Sequence, residues 1–219
     1  MQTQILPAWF VGHGAPTLLQ NDNQVRHFWH SFSQVLAQQT TIKPKAILSI
    51  SAHWQTNELA FSGHGKQPKI QYDFYGFEEE LYQLTWPLLT NESMGREIFS
   101  ALQDLDIKVQ SQPDYAIDHG TWVPLREAWP NPEIPVFQLS ICPDKSAQWH
   151  YALGQKLAGL RAQGVLVIAN GGISHNLRRI DWQQPENKAV DWASEFMQAF
   201  EKALETEDLE SLLNPLRLP

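Results

Sequence analysis

Apolar residues along this chain change period repeatedly, and that alternation restricts the fold more than any other feature. Leu6–Val11 and Ala46–Ser51 are short apolar runs of the kind found in buried strands. Gln24–Ala37 and Glu92–Leu105 space their apolar residues as helices do. Val136–Leu139 and Val165–Ala169 return to strand character, with an amphipathic helix expected over Ala147–Arg161 between them and another over Val190–Leu204. Strand and helix in this order predict an α/β domain with a central, mostly parallel sheet flanked by helices.

At 219 residues the chain is expected to be one domain, since domains commonly hold about 100–200 residues. Its hydrophobic content of 42%, with nine Trp, is that of a folded core rather than a disordered segment. Sixteen basic against 24 acidic residues give a net charge of −8, which repels a phosphate backbone, so nucleic acid is not an expected partner. No apolar run approaches the roughly 20 residues of a membrane span. The first residues lack a basic stretch followed by a long apolar one, so no signal peptide is expected. Cys142 is the sole cysteine, which rules out an internal disulfide and fits a cytoplasmic location.

Three histidines share one local pattern. His13 follows Trp9-Phe10-Val11-Gly12, His53 follows Ile47-Leu48-Ser49-Ile50-Ser51-Ala52, and His175 follows the run from Val165 through Gly171-Gly172-Ile173-Ser174. Each is expected at or just beyond the C-terminal end of a strand, where open α/β sheets bind ligands. Glycines beside His13 and before His175 permit tight turns and a close approach of backbone to ligand. Three imidazoles on one rim suit a divalent metal, zinc and iron alike. The bland alternative is that each is a hydrogen-bonded turn or core residue. No His-Glu-x-x-His or Cys-x-x-Cys motif decides between the two.

His119 lies in Ile117-Asp118-His119-Gly120-Thr121-Trp122, just before a helix-like stretch, Trp122–Ala128. An imidazole titrating near neutrality can shuttle a phenolic proton. Alternatively, Asp118 caps the helix and His119 packs. His27, His30, His64 and His150 read as surface, interface or turn residues. No Gly-x-Ser-x-Gly elbow or phosphate-binding loop is present. The segment from Pro68 to Pro87 is a long irregular excursion with a short helix expected at Glu78–Leu84. Excursions of that length are often functional, although this one also reads as a surface-packed apolar lid.

With these residues in view, the sequence resembles the LigB superfamily of class III extradiol dioxygenases, in its 4,5-DOPA dioxygenase-type branch. The resemblance rests on Gly12-His13-Gly14-Ala15-Pro16, Ser51-Ala52-His53-Trp54, Tyr72-Asp73-Phe74-Tyr75-Gly76-Phe77, Asp118-His119-Gly120-Thr121-Trp122, Pro135 to Ile141, and Gly171-Gly172-Ile173-Ser174-His175-Asn176-Leu177. Any one is weak, but six in the family's order are specific.

The resemblance implies a LigB-like α/β fold, related to phosphorylase/hydrolase-like folds, with a metal at the sheet rim. His13 and His53 match metal ligands. His175 matches a third ligand in zinc-containing members and a general base in more distant iron enzymes, and His119 matches a position used for substrate binding and proton transfer. The implied cofactor is a divalent metal, Fe(II) for dioxygenase activity or Zn(II) as isolated, with O2 as co-substrate and a small aromatic diol as substrate. Trp54, Phe74, Tyr75 and Trp122 are candidate pocket walls. One departure from the family pattern concerns its C-terminal Pro-Thr-Pro-Glu-His-like segment, which supplies a further ligand; no such segment precedes Pro219. A zinc hydrolase on the same scaffold and a catalytically impaired metal-binding homologue are the competing expectations.

Overall fold

A computed structural model of the chain describes residues 5–179 and 189–219. Six strands form one sheet: β1 (Ala8–Gly12), β2 (Ala46–Gln55), β3 (Ala60–Ser62), β4 (Gln110–Ser111), β5 (Val136–Ile141) and β6 (Val165–Gly171). Their order is β1-β6-β2-β5-β3-β4. The four strands β1, β6, β2 and β5 run parallel, and β3 is antiparallel to β5. The expected α/β domain with a mostly parallel sheet is therefore what the chain forms. The expected strands are found within a few residues of their predicted bounds, whereas β3 and β4 are too short to leave a periodic signature.

The helices are α1 (Gln24–His30), α2 (Phe32–Gln39), α3 (Glu92–Asp104), α4 (His119–Ala128), α5 (Ala147–Ala162), α6 (Asp191–Glu205) and α7 (Leu209–Leu213). The single helix expected over Gln24–Ala37 is divided at Ser31. The Ser31 hydroxyl donates to Phe28 O at 2.7 Å, and its amide bonds Phe28 O and Trp29 O. Serine thus competes locally with the helical ladder, and the chain changes direction. The short helix expected at Glu78–Leu84 forms as a 3-10 helix over Glu79–Gln83.

The domain gathers into two compact units, Met1–Asp144 with Leu153–Gly171, and Lys145–Ala152 with Gly172–Pro219. The sheet belongs to the first. Leu48, Phe137 and Leu166, from its three central strands, have no exposed surface. A strand buried on both faces needs such near-continuous apolar sequence. α4 packs on β2 and against α1, enclosing Trp29, Ile47, Trp122 and Leu166 in one core. Burying each of the large apolar side chains contributes about 1.5–3 kcal/mol. That anchorage fixes the N-terminus of α4 at the end of the sheet where the histidines lie. The second unit holds α6 and α7, with Asp208 capping α7 through Ser211 N at 3.1 Å.

Candidate metal centre

The pattern of β1 delivers His13. Val11 turns into the core at 2% exposure, β1 ends at Gly12, and His13 follows as a buried residue. The turn beyond it depends on Gly14, whose φ is +60° and where an added Cβ would lie 2.4 Å from Leu18 Cδ1. A side chain there is opposed by the backbone conformation, and Leu18 would have to move aside for it.

β2 delivers His53 at its C-terminal end, two residues before Gln55, and extends past the Ser51 expected as its bound. Its register with β5 shifts between Ile50 and Gln55, while its pairing with β6 stops at Ser51 and Asn170. Such an irregularity re-aims side chains at the rim of a sheet. Trp54 enters the core at 2% exposure and stacks on Tyr115 at 4.4 Å. By strand alternation His53 faces the other way.

α4 delivers His119 as its first residue. Asp118 caps the helix as one of the two readings expected, accepting from Thr121 N at 3.2 Å, and the His119 ring lies beside those of His13 and His53. His53 Nε2 and His13 Nε2 lie 2.8 Å apart. The ring centroids of His53 and His119 are 4.0 Å apart, and those of His13 and His119 are 5.3 Å apart. One ring nitrogen from each of the three falls within 4.8 Å of the others. Two nitrogens each about 2.1 Å from one tetrahedral ion lie about 3.4 Å apart. That is wider than the 2.8 Å between His13 and His53 and inside the 4.8 Å that bounds the set, so small side-chain shifts bring all three to one ion. The donor set thus fits a divalent metal.

Beneath the imidazoles runs a buried polar network. Ser51 donates to Asp118 Oδ1 at 2.7 Å and accepts from His53 N at 3.2 Å, linking the strand of His53 to the helix of His119. Gln138 donates to Asp118 Oδ2. Asn170 Nδ2 donates to Ser49 Oγ at 2.8 Å, and Ser49 bonds Thr121 at 2.8 Å. Burial pushes the Asp118 carboxyl up, with Asp73's charge adding to it, against the bonds from Ser51, Thr121 and Gln138. Asp73 is also pushed up by burial, but hydrogen bonds and charge from His119 outweigh this and leave it below the usual carboxylate range.

Asp73 touches His119 twice. Its Oδ1 accepts from His119 N at 2.9 Å, and its Oδ2 lies 3.0 Å from Nδ1. The second contact lies off the line of a straight hydrogen bond and acts as a close electrostatic pair. Sequence reasoning gave Asp73, Ser51 and Asn170 no role in the site. Asp73 did fall inside a family-like motif, the one signal that could have drawn attention to it.

His175 follows β6 in the second unit, where it is exposed and lines a hollow with Asn176, Arg178, Trp192 and Phe196. Of the candidate pocket walls, Trp54 and Trp122 are core residues, at 2% and 0% exposure. Tyr75 stands 91% exposed. Phe74 meets His119 edge-on at 5.6 Å. Among the remaining histidines, His27 pairs with Asp22, His30 with Glu127, His64 bonds Ser111 and His150 bonds Ser146 O, in keeping with the structural reading.

An α/β domain whose histidines gather at the ends of parallel strands defines a class of protein able to seat a divalent metal there. Residues 7–216 match the family model described as the catalytic LigB subunit of aromatic ring-opening dioxygenase. The chain belongs to the LigB family, and its class is that of the extradiol dioxygenases. It is 32% identical over 196 residues to the 4,5-DOPA dioxygenase extradiol of Escherichia coli K12, covering 90% of this chain and 69% of that relative. It is 35% identical over 176 residues to the protein of the same name in Beta vulgaris, covering 80% of this chain and 64% of the other. The crystal structure of an uncharacterized Escherichia coli K12 protein superposes with a TM-score of 0.72 at 30% identity, covering 91% of this chain and 72% of that one. The chain therefore spans about two-thirds of the length of these relatives.

Proposed function

We propose that this protein is a metal-dependent extradiol dioxygenase that opens the ring of a catechol-type aromatic, DOPA-like or related, with O2. The observation that carries the reading is the convergence of His13 Nε2 and His53 Nε2, 2.8 Å apart, with the His119 ring beside them. His13 and His53 hold the metal. His175 acts as a further ligand or as a base, and residues 1–219 constitute one catalytic domain. When bound, Fe(II) supplies the redox coupling between an electron-rich diol and O2, a part zinc cannot take because it has no accessible redox change.

The chain's own groups do the rest. His119 accepts a proton from a diol hydroxyl, a role suited to imidazole. Phe74 offers an aromatic edge beside His119, suited to a flat ring. The ring bond adjacent to the diol breaks, and both atoms of O2 enter the product, so no external reductant is consumed. The lone, buried Cys142 is compatible with a reducing compartment, and we place the enzyme in the cytoplasm. Among the described residues, no helix is long and apolar enough to cross a membrane.

A zinc hydrolase is less favoured, because the carboxylates beside the cluster are engaged: Asp73 by His119, and Asp118 by Ser51 and Gln138. The test is anaerobic loading with Fe(II), then addition of catechol, DOPA or protocatechuate and oxygen. A yellow ring-opened product is expected. Hydrolysis without oxygen uptake would select the zinc alternative, and a protein that retains iron yet turns nothing over would point to an impaired homologue.

A further inference from the structure

Within the second unit, a 3-10 turn over Leu177–Arg179 sets Arg178 and Arg179 side by side. α6 spaces Trp192 and Phe196 four residues apart, which places both rings on one face of the helix. These two arginines and two rings line a hollow of about 760 Å³. Small-molecule sites commonly measure roughly 300–1,000 Å³ and combine aromatic walls with a few placed polar groups.

The charge inside the hollow is one-sided. Among the described residues no Asp or Glu lines it, and neither Arg178 nor Arg179 forms an ion pair, whereas Arg26 and Arg126 share Glu127. The Arg179 guanidinium lies over the Trp192 ring, 5.0 Å from its centroid. Stacking of this kind fixes the plane of a guanidinium and leaves its N–H edge for a planar anion. On a chain of net charge −8, this is a local basic site with flat apolar walls.

We propose that the hollow binds an aromatic carboxylate, its charged group on Arg178 and Arg179 and its ring against Trp192 and Phe196. Guanidinium forks match a carboxylate in charge and geometry, and aromatic faces suit a flat ring. The ligand is either a diol substrate that bears a carboxylate or a separate aromatic acid. The first source rests on the function proposed above; binding in the hollow does not.

Benzoate is the probe, titrated into the full chain with 15N-labelled tryptophan. The Trp192 indole signal is assigned by its loss in Trp192→Phe. Benzoate is expected to shift that signal saturably. At equal ionic strength, neutral benzamide and ring-free acetate should each bind about tenfold more weakly or worse, and Arg178→Gln and Arg179→Gln should each weaken benzoate about tenfold. An unmoved Trp192 signal, benzamide bound as tightly as benzoate, or wild-type affinity in both arginine variants overturns the proposal.

Turnover by Fe(II)-loaded protein separates the two sources. If the substrate supplies the carboxylate, the ratio of KM for protocatechuate to KM for catechol rises about tenfold in the arginine variants. An unchanged ratio, in variants that have lost benzoate binding, assigns the hollow to a separate aromatic acid. If the iron-loaded wild type consumes neither diol, the proposed function fails, and the Trp192 titration still decides what the hollow binds.

Discussion

Asp118 has no exposed surface, yet it accepts hydrogen bonds from Ser51, Gln138 and the Thr121 amide. Each buried donor stripped of its acceptor costs about 1–3 kcal/mol, and loss of a helix cap about 1 kcal/mol. Asp118→Ala is therefore expected to lower the unfolding free energy by about 2–4 kcal/mol in urea titration. A neighbouring constraint acts through space. An added Cβ at Gly120 would lie 2.7 Å from Asn170 Oδ1, 3.0 Å from His53 Cδ2 and 3.1 Å from Ser51 Oγ. Gly120→Ala must displace His53 or the network beneath it, so weaker metal binding is expected by competition with a chromogenic chelator. Wild-type affinity in a folded Gly120→Ala protein would show that Asn170 and Ser51 yield to the added methyl while His53 stays in place.

At the scale of elements, α1 and α4 are joined by a charge cluster. Glu127, its side chain 5% exposed, pairs with Arg26 at 2.8 Å, Arg126 at 2.6 Å and His30 at 3.0 Å. Burial raises the Glu127 carboxyl, but bonds from Arg26 and His30 and the charges of Arg26 and Arg126 outweigh it, leaving the group below its ordinary range. A depressed carboxylate contributes stability that is present above the unfolded value and is lost as pH falls through the folded one. Glu127→Gln is thus expected to cost about 1.5–3 kcal/mol at pH 7. The gap from wild type should narrow below about pH 4.5 and close in stronger acid. A gap independent of pH would contradict the ion-pair account. These elements were partly legible in advance, because long periodic stretches such as α3 and α5 declare themselves. The break at Ser31 did not, since it turns on one hydroxyl choosing Phe28 O. The two-residue β4 carries too little sequence to show a period.

Across the whole molecule, the strand-end histidines were legible because an apolar run closing on a histidine has a local signature. Their meeting was not. His13 and His53 belong to strands that flank β6, and that order is a tertiary outcome. The approach of Asp73 to His119 likewise depends on one bridge between Ile70 and Ile117. His175, expected beside the metal on family resemblance, lies in the second unit, and its part in the site remains a proposal. The six ordered motifs carried what spacing could not, and the family match over residues 7–216 agrees with them.

The central claim is that His13 and His53 hold the metal of a ring-opening dioxygenase. Its most direct test is oxygen-electrode recording of Fe(II)-loaded wild type, His13→Ala and His53→Ala with catechol, with iron content measured on the same samples. The account predicts one O2 consumed per catechol by the wild type, and loss of both iron and oxygen uptake in each variant. Iron retained in both variants, or no uptake by iron-loaded wild type, would contradict it.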